Sequence, residues 1–172
     1  MTESGFSEDR AIDNTDAASE RNEPAAGDAY QWETGSCHCG LVAFEVALTS
    51  HITITLCNCR ICYMSGHEEI LVPEDRFRVL HGSDSLREYR FGVKLADHTF
   101  CTTCGIMPFY RPRSHPVGFF SVNARCMLSG TAVEARRGDP ISLKRGESIE
   151  YVQFDGQNWE KSMRANQHRR TE

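Results

Sequence analysis

The chain has 172 residues, a net charge of −5 at pH 7 and eight cysteines. This length suits one domain with a single core, and no apolar run approaches the roughly 18 residues of a membrane-spanning helix. The charge gives no electrostatic reason to expect nucleic acid as the main partner, and the cysteine density is well below that of a disulfide scaffold.

Residues 1–29 form an acidic segment with eight acidic side chains and two arginines, so the rest of the chain carries about +1. It has almost no large apolar side chains, and we predict a disordered leader. It has neither the apolar core of a secretory signal nor the Arg-rich composition of a mitochondrial one. We therefore expect a reducing, cytoplasmic setting, in which clustered thiols bind metal rather than form disulfides.

Beyond Tyr30 the pattern is typical of short strands separated by turns. Residues 51–56 alternate cleanly, which predicts that Ile52, Ile54 and Leu56 share one face. The other predicted strands are residues 41–48, 77–80, 86–91, 99–100, 107–110 and 117–122, and short helices are predicted at 59–66 and 159–167. The sequence therefore predicts a small, mostly antiparallel β domain over residues 30–163, followed by a flexible basic tail at 164–172.

Seven cysteines fall into three tight groups: Cys37-His38-Cys39, Cys57-Asn58-Cys59-Arg60-Ile61-Cys62 and Cys101-Thr102-Thr103-Cys104. In an extended strand, residues i and i+2 point to the same face, so the first group presents both sulfurs on one side. The third group is typical of a zinc knuckle, because Gly105 allows the chain to turn back after it. Together these two groups predict a closed site with four thiolates.

The middle group brings three sulfurs within six residues and leaves a fourth corner of a tetrahedron open. Three thiolates make zinc a poor Lewis acid for water but suit it to binding a further thiol, which favours sulfur chemistry over hydrolysis. Spacing leaves two alternatives open. Cys126 could close the second tetrahedron or be a small buried residue, and the middle group could pair with either of the others.

These residues resemble the glutathione-dependent formaldehyde-activating enzyme family, whose domain occurs also in centromere protein V. The resemblance extends from about residue 31 to 163. It is carried by the three cysteine groups with their flanking glycines, by residues 118–126 and by Phe154-Asp155-Gly156-Gln157-Asn158-Trp159. It implies an Mss4-like β-tent fold, in which small antiparallel sheets are held together by zinc.

The resemblance also implies two Zn²⁺ ions per chain. A structural zinc would be bound by Cys37, Cys39, Cys101 and Cys104, and a catalytic zinc by Cys57, Cys59 and Cys62. The implied activity is that of a carbon–sulfur lyase resembling S-(hydroxymethyl)glutathione synthase. It would act on glutathione or a similar thiol together with formaldehyde or another small carbonyl compound.

Glutathione carries two carboxylates, so we expect arginines around the site. The candidates are Arg60, which lies inside the ligand loop, and Arg111, Arg113 and Arg125. Asn123 is a further candidate for substrate binding, and His67 and His115 are candidate proton donors. Each of these residues could instead be structural. Phe154 and Trp159 are expected to pack the C-terminal segment onto the sheet.

The alternative function is that of a non-catalytic zinc module that binds a protein or chromatin partner, as the kinship with centromere protein V would allow. The two functions differ in the middle cysteine group. An enzyme needs an open metal corner at Cys57, Cys59 and Cys62, whereas a binding module would close it.

Overall fold

A computed structural model describes residues 29–127 and 148–168. The predicted acidic leader lies almost wholly outside the described residues. No helix in the described part is both long enough and apolar enough to cross a membrane.

Strands dominate the described residues, which confirms the prediction of a mostly β protein. A three-stranded antiparallel sheet has the order β1 (Gln31–Ser36), β2 (Ala43–Leu48), β5 (Phe77–His81). The second sheet has the order β10-β3-β4-β9-β8-β7-β6. Its strands are β3 (His51–Cys57), β4 (Glu69–Pro73), β6 (Leu86–Tyr89), β7 (Asp97–Cys101), β8 (Phe109–Arg111), β9 (Phe119–Asn123) and β10 (Ser148–Phe154).

The prediction of antiparallel pairing holds for every strand pair in the described residues except one. β10 runs parallel to β3, with Phe154 opposite Cys57. A parallel pair needs a long connection, and here the chain between the two strands includes β4 to β9. The C-terminal segment therefore returns to the end of β3, where the middle cysteine group begins.

The hydrophobic core joins the two sheets. Phe44 of β2 packs against Phe109 of β8, with ring centroids 5.6 Å apart, and Phe77 of β5 lies 4.8 Å from Phe109. The predicted face of β3 is confirmed, because Ile52 and Ile54 are fully buried in this core and Leu56 packs against it.

Two short helices follow the strands that matter for the site. Helix α1 (Arg60–Ser65) begins directly after Cys59 and ends at Gly66, whose φ of 65° is left-handed. Helix α2 (Trp159–His168) follows β10 after a single 3₁₀ turn. Residues 164–168, predicted to begin a flexible tail, are thus helical, since they contain no glycine or proline to end the helix.

Candidate active site and metal centres

The first and third cysteine groups come together to form a four-cysteine cluster. The Sγ atoms of Cys37, Cys39, Cys101 and Cys104 all lie within 4.8 Å of one another. The Sγ of Cys39 is 3.5 Å from that of Cys37 and 3.6 Å from that of Cys101. These distances are far longer than a disulfide bond of about 2.05 Å. They are close to the edge of about 3.8 Å expected for a tetrahedron with zinc–sulfur bonds of about 2.3 Å.

The backbone of the four-cysteine cluster is shaped by two glycine turns. Gly40 and Gly105 have φ values of 75° and 72°, a left-handed conformation that favours glycine. Their amides donate to the carbonyl oxygens of Cys37 and Cys101, at 3.1 and 2.8 Å. The amide of Val42 also donates to the Cys37 sulfur at 3.4 Å, as expected for a thiolate ligand. Donor type, spacing and turn geometry all fit a zinc ion.

The middle group forms a separate three-cysteine cluster at the end of β3 and the start of α1. The Sγ atoms of Cys57, Cys59 and Cys62 lie within 4.8 Å of one another. Hydrogen bonds from the Cys57 and Cys62 thiols lower the pKa of Cys59 to about 2, whereas hydrogen bonding to its two neighbours raises the pKa of Cys62. One thiolate thus opposes the ionisation of the next, and a bound cation would relieve that repulsion. The cluster is therefore a second candidate zinc site.

A cavity of about 360 Å³ includes all three of these cysteines in its wall. One side is formed by Phe91, His98 and Tyr110, whose rings stack in sequence with centroids 5.2 and 4.6 Å apart. The remaining wall residues are Thr55, Ile61, Glu69, Leu71, Gly92, Val93, Ala96, Pro112, Arg113, Ser114, His115, Val152, Gln153, Phe154, Gly156, Trp159 and Met163. The three-cysteine cluster thus faces a ligand-sized space, whereas no cysteine of the four-cysteine cluster lines it.

Cys126 does not complete the three-cysteine cluster. It is buried in the hydrophobic core with Cys37, and burial raises its pKa to about 12. The thiols that influence it electrostatically are Cys37 and Cys104, which belong to the four-cysteine cluster. Of the two roles that the spacing left open for Cys126, the structure favours that of a small buried residue.

The two candidate histidines lie in different places. His115 lines the cavity, and its Nδ1 is 3.0 Å from the Ser114 Oγ. His67 does not line the cavity; it is buried against the Tyr110 ring, with centroids 4.9 Å apart, and its Nε2 is 2.9 Å from the Ser121 Oγ. Burial lowers the pKa of His67 to about 3, so its ring is neutral near pH 7.

The predicted substrate-binding residues other than Arg113 do not line the cavity. Arg60 is exposed on α1, Arg111 pairs with Glu74 at 2.6 Å, and Arg125 pairs with Glu68 at 2.5 Å. The buried Asn123 side chain accepts from the amides of Glu68 and Arg125 and donates to the Met107 carbonyl oxygen. Substrate binding by these residues stays a prediction.

Arg113 is the candidate arginine that reaches the cavity. Its guanidinium carbon lies 3.9 Å from the centroid of the Trp159 ring, and its Nη2 donates to the Glu160 carboxylate at 2.9 Å. Its Nε is buried and has no hydrogen-bond partner among the described residues.

The cavity contains residues that the sequence did not indicate. No pattern singles out Phe91, His98 and Tyr110, because Phe91 lies just after β6, His98 in β7 and Tyr110 in β8, and they meet only when these strands pair. Packing of Trp159 onto the sheet stays a prediction, and the structure adds that its ring lines the cavity and contacts Arg113. The only hint of this role in the sequence was the position of Trp159, an aromatic residue at the start of a short amphipathic helix.

Comparison with known proteins identifies the family. The model of a family described as glutathione-dependent formaldehyde-activating enzyme matches residues 32–138, more than half of the chain. The chain belongs to this family. The match includes all three cysteine groups and ends before β10, so the part of the cavity wall that comes from β10 and α2 lies beyond it.

The chain is also similar to a protein of known structure. A crystal structure of a Rhodobacter sphaeroides protein is similar to this chain, with a TM-score of 0.51 and 28% sequence identity. The similarity covers 69% of this chain and 99% of that one. The relative is thus matched almost throughout, whereas part of this chain lies outside the match.

The ligand loop of this family member is attached to the segment that follows β10. The Asn58 side chain donates to the Asp155 carboxylate at 2.9 Å and accepts from the Gln157 amide at 3.0 Å. The Asn58 amide donates to the Phe154 carbonyl oxygen at 3.2 Å. Gly156 packs directly against the Cys57 sulfur, since a Cβ atom there would lie only 2.4 Å from it. The C-terminal segment thus positions the three-cysteine cluster.

Alanine at Gly156 is expected to weaken metal binding by the three-cysteine cluster alone. The added Cβ would displace the Cys57 sulfur, and disturbing the surroundings of a ligand typically costs 10–100-fold in affinity. Metal analysis after dialysis against a competing chelator should show one retained zinc equivalent instead of two. Gly118→Ala is the control, because its Cβ meets no atom within 4 Å, although a φ of 78° adds strain. Equal zinc retention by the two variants would contradict the expectation.

Proposed function

We propose that this protein is a zinc-dependent carbon–sulfur lyase that joins glutathione or a similar thiol to formaldehyde or another small carbonyl compound, and reverses the reaction. The observation that supports this most directly is the position of the three-cysteine cluster in the wall of a ligand-sized cavity. Membership of the formaldehyde-activating family supports the same substrates. A closed structural site would have no use for such a cavity.

The two clusters would have different roles. Cys37, Cys39, Cys101 and Cys104 would bind a structural zinc, and Cys57, Cys59 and Cys62 would bind a catalytic one, giving two ions per chain. A zinc ion bound by these three thiolates would lower the pKa of a substrate thiol, so that its thiolate would be available at neutral pH. Because three thiolates would make the zinc a poor Lewis acid for water, the site suits the reaction of a thiol better than hydrolysis.

The residues of the chain would orient the reactants and supply the proton. Apolar walls exclude water and hold the thiol near the carbonyl compound, which raises their effective concentration. The thiol first releases its proton, and its sulfur then forms a bond to the carbonyl carbon. The π electrons of the carbonyl group move to oxygen, which takes up one proton. His115 lines the cavity and shares a hydrogen bond with Ser114, so its imidazole is the candidate to transfer that proton.

The test is turnover of glutathione and formaldehyde by the zinc-loaded protein. We expect the hemithioacetal to form faster than in buffer alone, and we expect breakdown of S-(hydroxymethyl)glutathione to be accelerated equally, since a catalyst cannot shift an equilibrium. NMR can follow the exchange between the carbon of free formaldehyde and the hydroxymethyl carbon of S-(hydroxymethyl)glutathione. If no thiol and carbonyl pair reacts faster although both zinc ions are bound, the enzymatic function is excluded and the zinc-module alternative is favoured.

A further inference from the structure

The cavity has one strongly basic residue. Among its described wall residues, Arg113 is the only arginine or lysine, and Glu69 is the only acidic residue. The other wall residues are mainly apolar, aromatic or uncharged polar. The wall is therefore not a generally positive surface, and an anionic ligand inside it would depend on the Arg113 guanidinium itself.

Arg113 is held in place before any ligand arrives. Its guanidinium stacks over the Trp159 ring, and one nitrogen is paired with Glu160. A planar guanidinium fixed on both sides loses little further freedom when it binds a ligand. About 32% of the Arg113 side chain stays exposed, so an anion in the cavity can still reach the guanidinium.

We propose that Arg113 binds a carboxylate of the thiol substrate, so that the cavity selects thiols with a carboxylate over neutral thiols of the same size. This inference rests on the proposed function, because it takes the ligand of the cavity to be a thiol. The recognised class is a thiol carboxylic acid or a peptide thiol with a free carboxylate. With one guanidinium in the wall, one carboxylate per ligand is recognised inside the cavity.

This recognition depends on α2. Trp159 and Glu160 lie on α2, beyond the residues that the family model matches, whereas Arg113 lies within them. The residues that hold the guanidinium thus come from outside the matched region. We expect substrate preference to depend on this C-terminal segment and the chemistry itself to depend on the three-cysteine cluster.

The test compares 3-mercaptopropionate with 3-mercapto-1-propanol, two thiols that differ only in the carboxylate. Isothermal titration of the zinc-loaded full chain should show tighter binding of the acid. In Arg113→Gln, binding of the acid should weaken by roughly 10- to 100-fold, as expected for a hydrogen bond to a charged group, while binding of the alcohol stays unchanged. Arg113→Lys should restore only part of the loss, because lysine lacks the planar fork.

Arg78→Gln is the matched control. Arg78 also stacks over a tryptophan, Trp32, at 4.2 Å and pairs with a glutamate, Glu45, but it does not line the cavity. It should leave the binding of both thiols unchanged. Zinc content and thermal melting of each variant show whether it is folded.

The inference is overturned if the wild-type protein binds the acid and the alcohol equally, or if Arg113→Gln and Arg113→Lys leave the binding of the acid unchanged. It is also overturned if both thiols lose the same affinity in these variants. Its failure is distinct from that of the proposed function. Selective binding of the acid without turnover would remove only the proposed reaction, whereas turnover without this selectivity would remove only the role of Arg113.

Discussion

Serine at position 104 is expected to unfold the domain. Cys104 is only partly buried, so the substitution removes little packing, but it takes one of four ligands from the four-cysteine cluster. A structural zinc site contributes an apparent binding free energy of about 10–16 kcal/mol, and a small domain is typically stable by only about 5–15 kcal/mol. We expect Cys104→Ser to lose the cooperative thermal transition and its zinc, as followed by circular dichroism and metal analysis.

Cys126→Ala provides the control for the loss of a thiol. Cys126 lies in the core beside the four-cysteine cluster but belongs to neither cluster. Its replacement should cost about 1–2 kcal/mol of stability and no zinc. If Cys104→Ser melts cooperatively with the same zinc content as Cys126→Ala, the four-cysteine cluster is not the structural site.

Cys59→Ser is expected to abolish turnover while the fold survives. Cys59 lines the cavity, and the three-cysteine cluster to which it belongs is separate from the cluster that joins β7 to the loop after β1. The zinc content should fall from two to one per chain. Because metal-ion catalysis supplies several kcal/mol of transition-state stabilisation, turnover should fall by about 10³-fold or more.

Two measurements distinguish this result from general damage to the protein. The melting temperature of Cys59→Ser should remain close to that of Cys126→Ala, and X-ray absorption of the wild type should show fewer than four sulfur neighbours at the second zinc. Full activity with one zinc would place the chemistry elsewhere. Four sulfur neighbours at both ions would indicate two closed sites and a binding module.

The candidate metal ligands could be predicted because zinc ligands come in short local groups. Gly40 and Gly105 mark the turns in the sequence, but the extended conformation expected for Cys37 and Cys39 was wrong, because β1 ends at Ser36 and these two residues lie in a turn closed by the Gly40 amide. The alternation of Ile52 and Ile54 likewise fixed the buried face of β3. The position of Cys126 could not be predicted, because it depends on how the chain after β9 packs against the loop that carries Cys37.

Three strands were missed for different physical reasons. β1 lacks the alternation of apolar residues that would predict a strand. Most of its side chains are polar and at least partly exposed, and at Gly35 the Phe44 ring leaves no room for a side chain. β4 is a short, continuously buried run that periodicity cannot distinguish from a helix. β10 lies at the edge of its sheet and is partly exposed, so its apolar residues show no clear alternation.

The cavity was the least predictable feature. Its walls require β10 to pair with β3 across a long sequence separation, and they require α2 to bring Trp159 to Arg113. Sequence patterns report local periodicity and turn chemistry, whereas this arrangement depends on long-range pairing. The residues of the three-cysteine cluster could therefore be predicted, but those around it could not.

The parallel pairing of β10 with β3 sets the order of assembly on the ribosome. All four thiols of the four-cysteine cluster have been synthesised by residue 104, but the segment that packs against the three-cysteine cluster begins only at residue 148. At roughly 5–20 residues per second, the nascent chain leaves that trio uncovered for several seconds. Any cellular protection against oxidation or a wrong metal has to act during that interval.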